Sequence, residues 1–420
     1  MLQTTESTIS DLFKDYAITG FLPNAAPLTK LLNPYYSAWE ELSDRLPTLI
    51  KTNEIRNKID TMPICSTEHL KTEPEWRRAY VIMGYLSHSY IWGGDKPSER
   101  LPPSIAKPFL EIAAHLEIPA CATYAGLALW NFKARHPGAD ISDPDNLKVQ
   151  TSFTGAKDEE WFMAISVAIE ARGTKLISLM KDAMKAVAVN ATDILTALLY
   201  TLADGLNDLA IILKRMYQHT DAAFFFHQLR PLLAGSKNMG HAGLPKGVYY
   251  DVGGDEKPEN WLQLSGGSNA QSSLIQAFDI FLGVEHSATG GKKASGPTFI
   301  HEMRKYMPGP DRRFLEDLTT RSNIRSFILS AGEKSPERQA YNEAVNELMK
   351  FRDTHIQMVT RYIVLAARRP KPTQDVEKVN LATVSMKGRD ESNHTLSGTG
   401  GTDLMPFLKQ TRDTVRDAKC

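Results

Sequence analysis

Apolar residues recur in steps of three and four along most of this chain, the spacing that gathers them on one face of an α-helix. The longest run opens at Ser335-Pro336-Glu337, where a capping Ser, a Pro at the first helical position and an acid in the first turn predict a helix start. Pro370 sets its latest end. Within it Tyr341, Val345, Leu348, Arg352, His355, Val359 and Tyr362 share one face. Upstream, the pattern predicts short helical pieces over 9–59, each limited by Pro23, Pro27, Pro34 or Pro47. A better helix is expected over 73–92, stopped by Gly93-Gly94, with further helices over 106–116 and 122–134. The turn-rich segment 136–153 marks a domain boundary near residue 150. Beyond it the pattern predicts helices over 158–171, 174–187, 192–217 and 221–233, the last closed by Gly235. Only Gly247 to Val252 is β-like in composition. Helices are expected again over 298–306, 311–319 and 323–330, and from Asp403 to about Val415, after a polar stretch at 368–397 that reads as a mobile loop. The expected fold class is all-α, with a small helical domain over 1–150 and a larger one over 151–420.

Composition narrows the function classes. At 42% hydrophobic and 23% charged the chain is globular, and Lys plus Arg equals Asp plus Glu at 49 each, so no overall field favours nucleic acid or an anionic membrane. Cys65, Cys121 and Cys420 lie far apart without metal spacing, which points to a reducing compartment. The first fifteen residues lack an apolar signal core, and the most apolar stretch, 186–206, is broken by Asn190, Asp193 and Asp204. The expectation is a cytoplasmic protein without a membrane span. Common motifs fail. Gly290-Gly291-Lys292-Lys293 lacks the rest of a phosphate loop, Gly398-Thr399-Gly400-Gly401 lacks a third glycine and a preceding strand, and no Gly-x-Ser-x-Gly, His-Glu-x-x-His or Cys-x-x-Cys occurs.

What remains is a histidine and an arginine inside the apolar stripe of the longest helix. Burying either without a partner costs several kcal/mol, so something must satisfy the imidazole and something anionic the guanidinium. A haem supplies both, through its iron and a propionate. A core histidine bonded to a carbonyl is the plainer reading, and this helix alone favours it.

Several long blocks, however, carry a resemblance. They are Arg78-Ala79-Tyr80 to Trp92, Ser265-Gly266-Gly267-Ser268 to Gly283, Arg304-Lys305-Tyr306-Met307-Pro308, His355-Ile356-Gln357-Met358-Val359-Thr360-Arg361-Tyr362-Ile363, and Gly398-Thr399-Gly400-Gly401-Thr402-Asp403-Leu404-Met405. On these the chain resembles the indoleamine 2,3-dioxygenase family, its fungal members most. The resemblance implies a two-domain helical protein holding haem b, in which the small domain caps the larger. It implies insertion of O2 across the C2-C3 bond of L-tryptophan to give N-formylkynurenine, the first step of the kynurenine pathway, by a monomer served by a cellular reductant. It makes His355 the iron ligand and places Arg352 near a propionate, with Ser268 and Asn269 at the haem edge. Asp279 would be a supporting carboxylate for His355 or Arg352. On the distal side it places Ser166 and Phe162. Phe225 and Arg230 would contact substrate, Arg230 gripping its carboxylate. Tyr124, Leu127 and Ala128 would line the indole pocket, and Thr399 would sit on a closing glycine loop. Leu127 and Ala128 stand where animal members usually have Cys and Val, and Asn269 where the family usually has Ala; these changes bear on affinity. An oxygen-carrying homologue without useful turnover and a helical scaffold remain as alternatives.

Overall fold

The computed structural model describes residues 2–285, 298–368 and 404–420, with side chains from Thr8 onward. It is 64% helical and 4% strand, the all-α class expected. The longer helices of the first part are α1 (Leu2–Phe13), α2 (Ser37–Lys51), α3 (Glu73–Trp92) and α4 (Pro103–His115), with the short Ile55–Asp60 between α2 and α3. The long α5 (Lys157–Ala188) and α6 (Thr192–Lys214) follow, then α7 (Ser273–Phe281), α8 (Gly309–Arg321), α9 (Pro336–Val359) and α10 (Leu404–Arg416). α6 packs on both α5 and α9, and α10 lies on α9. A continuous apolar cluster runs from Ile9 to Ala418. The segment Thr192–His219 is long and apolar enough to cross a membrane, yet Leu195, Leu199, Leu202, Leu206 and Leu209 of α6 are all buried in this core.

Local chemistry explains the ends that matter. Ser335 caps α9 by accepting from the Arg338 N–H, and Pro336 opens the helix as expected. Tyr341, Val345 and Leu348 are fully buried, so the same face carries Arg352 and His355 inward one and two turns later. α3 starts at a Thr72/Glu75 capping box and stops at Gly93.

Other expectations need correction. Residues 158–187 form one helix, not two, and it runs through Gly173. A Cβ there would lie 2.3 Å from Leu274 Cδ2, so the glycine is what lets α7 press onto α5. Pro47 does not end α2; four residues from Lys51, it removes a single backbone donor and the helix finishes regardless. Gly235 is not a helix cap: a Cβ would meet Leu264 O and Gly266 N at 2.2 Å, and the backbones join there through Ser236 N to Leu264 O at 2.8 Å. The strand expected near 247–252 is Val248–Tyr250 (β4), parallel to Arg100–Leu101 (β1) and antiparallel to Trp261–Leu262 (β5). Phe132–Ala134 (β2), expected to be helical, pairs with Leu147–Val149 (β3). Strands this short carry no readable alternation.

A buried ion pair ties α3 to α2. Arg78 donates to Glu40 at 3.1 and 2.6 Å and to Thr151 Oγ1 at 3.0 Å. Glu40→Ala would leave a buried guanidinium unpaired, and we expect it to lower stability by about 3 to 5 kcal/mol in urea denaturation. A loss below about 1 kcal/mol would mean that water replaces the carboxylate.

Candidate active site

Among the described residues, helix backbone widens around one cavity. Ala125–Leu129, Phe225–Leu229 and Thr360–Leu365 are π-helical, and each contributes side chains to the same cavity. Their mark is the i to i+5 bond: Trp130 N donates to Ala125 O at 2.9 Å, and Arg230 N donates to Phe225 O. In the second stretch a cause is visible, because Pro231 lacks a donor and its ring crowds the carbonyl four residues back. Tyr362 locks the third stretch to the second, its hydroxyl donating to Thr220 O at 2.9 Å and its ring meeting Phe225 edge-on at 5.7 Å.

The space between these side chains, open solvent at its mouth included, comes to about 1800 Å³. His355 faces into it from α9. The surface its ring retains looks onto the cavity, and the protein around it, then the Arg352 charge, lowers its pKa to about 4, so the imidazole is neutral at physiological pH. No hydrogen bond engages that imidazole among the described residues. The plain reading of a core histidine bonded to a carbonyl is therefore not what α9 provides. Arg352 donates through one nitrogen to both oxygens of buried Asp279, at 2.7 and 2.5 Å, while its Nε stays buried without a hydrogen-bond partner among the described residues. Asp279 thus supports Arg352. A neutral, unbonded imidazole with an incompletely used guanidinium one turn away fits a haem, whose iron takes a nitrogen lone pair and whose propionate takes N–H donors.

α5 presents Phe162 and Ser166 one turn apart. Phe162 meets Phe225 edge-on at 5.1 Å, and Ser166 Oγ makes a long 3.5 Å contact to the Phe162 carbonyl and interacts with the Tyr124 hydroxyl. Arg230 is 2% exposed, lies over the Phe226 ring at 5.7 Å, and has its pKa lowered by burial to about 10, which leaves it charged at neutral pH. Ser268 accepts from Ala270 N at 3.3 Å and so caps the short turn that begins with Asn269, and both also line the cavity. Gly267 permits this: a Cβ would lie 2.3 Å from Leu127 Cδ1. Tyr124, Leu127 and Ala128 complete the wall. The cavity thus collects every expected site residue except Thr399, which lies outside the described residues, as does the stretch 369–397 expected to be mobile.

Sequence reasoning missed Glu170 and Gln276. Glu170 stands one turn beyond Ser166, an acid on a face that is otherwise turned inward, and that was the available signal. Gln276 lines the cavity and accepts from Arg304 Nε at 2.7 Å.

The chain matches the family model described as indoleamine 2,3-dioxygenase over residues 12–418. It is 42% identical to an indoleamine 2,3-dioxygenase of Penicillium citrinum over 96% of this chain and 87% of that protein. To an indoleamine 2,3-dioxygenase of Saccharomyces cerevisiae it is 36% identical over 98% of this chain and 95% of the other. To a 6-hydroxytryptophan 2,3-dioxygenase of Fusarium equiseti it is 37% identical over 95% of each. A similarity that runs through every wall of this cavity leaves one conclusion: the chain belongs to the indoleamine 2,3-dioxygenase family of oxidoreductases.

Proposed function

We propose that this dioxygenase holds haem b through His355 and inserts both atoms of O2 across the C2-C3 bond of L-tryptophan, giving N-formylkynurenine. The observation that carries the reading is the neutral His355 imidazole, without a hydrogen bond among the described residues, facing a cavity that Arg230 also lines. Bound haem would supply the redox and O2 chemistry. The protein's part is position and dryness. Arg352, steadied by Asp279, and the Ser268-Asn269 turn would hold the propionate edge. Arg230 would take the substrate carboxylate, Phe162 and Phe225 would flank the indole, and Tyr124, Leu127 and Ala128 would close its deep end. The division near residue 150 belongs to this reading: the earlier segment contributes that deep end, the later one the rest. So do a monomeric cytoplasmic enzyme, a cellular reductant and closure over the substrate by Thr399.

The test is to load the protein with haem, reduce it, add L-tryptophan and O2, and follow N-formylkynurenine. A ferrous protein that binds O2 and forms no product is an oxygen carrier instead. A second reading, a hydroxylated tryptophan as preferred substrate, is favoured by hydroxyl side chains on the cavity wall, Ser166 and Ser268 among them, and by the name of the Fusarium relative. Competition between L-tryptophan and 6-hydroxytryptophan separates the two.

Nothing among the described residues gives Ser166 the means of a base, since its Oγ meets only its own helix carbonyl at 3.5 Å and the hydroxyl of Tyr124, a phenol that burial keeps protonated. Ser166→Ala is expected to keep most of its turnover. A loss of roughly a hundredfold or more, the size of a missing general base, would refute the base-free scheme.

A further inference from the structure

Behind the cavity wall stands Glu170, 1% exposed on α5. Its Oε1 accepts from Tyr124 Oη at 3.0 Å and from Ser272 Oγ at 2.7 Å, while Oε2 is buried with no hydrogen-bond partner among the described residues. Tyr124 and Ser272 both line the cavity, so the carboxyl acts on the site through them. The other acid facing it is Asp311 on α8, itself bonded to Tyr16 and Ser273 at 3.3 Å and facing Arg77 and Arg312.

Resting on the function proposed above, we propose that Glu170 is a positioning residue for the amino-acid substrate: its charge holds the Tyr124 hydroxyl out of the cavity, so that the tyrosine ring forms an apolar wall for the indole. Ionised, Glu170 receives two charge-assisted hydrogen bonds and pins Tyr124. Protonated, it holds Tyr124 only as a neutral acceptor, and the phenol is released toward Ser166, whose hydroxyl also interacts with it. Burial first, with the Asp311 charge adding to it, raises the Glu170 pKa to about 7, so both forms are populated near neutrality. The ionised form dominates above that value and binds substrate better. KM for L-tryptophan therefore rises as pH falls through about 7, while kcat stays level.

The experiment measures kcat and KM for L-tryptophan between pH 6 and 8 with haem-loaded protein. Wild-type KM should rise about fivefold across that range, the difference between a charged and a neutral hydrogen bond. Glu170→Gln keeps an acceptor oxygen for Tyr124 and Ser272 but cannot ionise. It should show the low-pH KM throughout, with unchanged kcat and haem absorption. Asp311→Asn removes a neighbouring negative charge, so its KM profile should keep its height and shift its midpoint to lower pH; if Glu170→Gln does not accumulate, this shift decides. A Glu170→Gln protein with the wild-type profile, or an Asp311→Asn protein that loses it, overturns the proposal. So does a flat wild-type profile in an enzyme that turns over tryptophan well at pH 8. Absence of turnover at every pH overturns the proposed function, and this role with it.

Discussion

The His355→Ala variant is expected to purify without haem. Among the described residues the cavity offers no other histidine, cysteine, methionine or tyrosine with the same credentials: Met163, Met216 and Met358 are packed in the apolar core, and the Tyr124 and Tyr362 hydroxyls are committed elsewhere. Removing the imidazole breaks no hydrogen bond among the described residues, so helix content should persist while the haem absorption band disappears. Exogenous imidazole, small enough to enter the space left by the side chain, should restore part of the band. A variant that keeps a normal five-coordinate ferrous spectrum without added imidazole would show that the iron is held elsewhere.

Tryptophan turnover should fall by well over an order of magnitude in Arg230→Ala. If the guanidinium meets the substrate carboxylate in a closed site, truncation leaves that carboxylate desolvated and unpaired, at a cost of about 2 to 5 kcal/mol. Arg230 is itself buried, so some loss of stability is expected as well. Two controls separate the effects. The haem spectrum should be retained, because Arg230 belongs to a different helix from His355. Indole analogues without a carboxylate should be penalised far less than L-tryptophan, since they never form the ion pair. Equal penalties would assign Arg230 to the fold and send the search for the carboxylate partner to the Gly398–Thr402 segment.

The legible parts of this molecule are those fixed by local chemistry. Ser335-Pro336-Glu337 announced α9, and its spacing put His355 and Arg352 inward, as found. Even so, the stripe could not say whether a cavity or a carbonyl met the imidazole. That depends on segments hundreds of residues away in sequence. Glu170 was hidden for the same reason, because its partners Tyr124 and Ser272 lie 46 and 102 residues distant. Gly93 stopped α3 as expected, but two other glycines misled. Gly235 read as a cap and Gly173 falls in the gap between two expected helices, whereas each removes a side chain where another backbone or Leu274 must come close. The three widened turns left no compositional trace apart from Pro231, since a π-helix differs from an α-helix in one extra residue rather than in kind.

That extra residue makes the cavity unusually sensitive to changes in chain length. Deleting any one position in 225–229 would let the turn relax to an ordinary helix, but it would also swing whatever precedes or follows by roughly 100° about the axis. Phe225 and Arg230 would then no longer address the same space. The same reasoning applies to Leu127 and Ala128 in the first widened turn and to Tyr362 in the third. Variants recovered from a random library should accordingly carry substitutions in these segments and almost never an in-frame deletion, whereas the exposed stretch 136–140 of the β2–β3 connection should accept both.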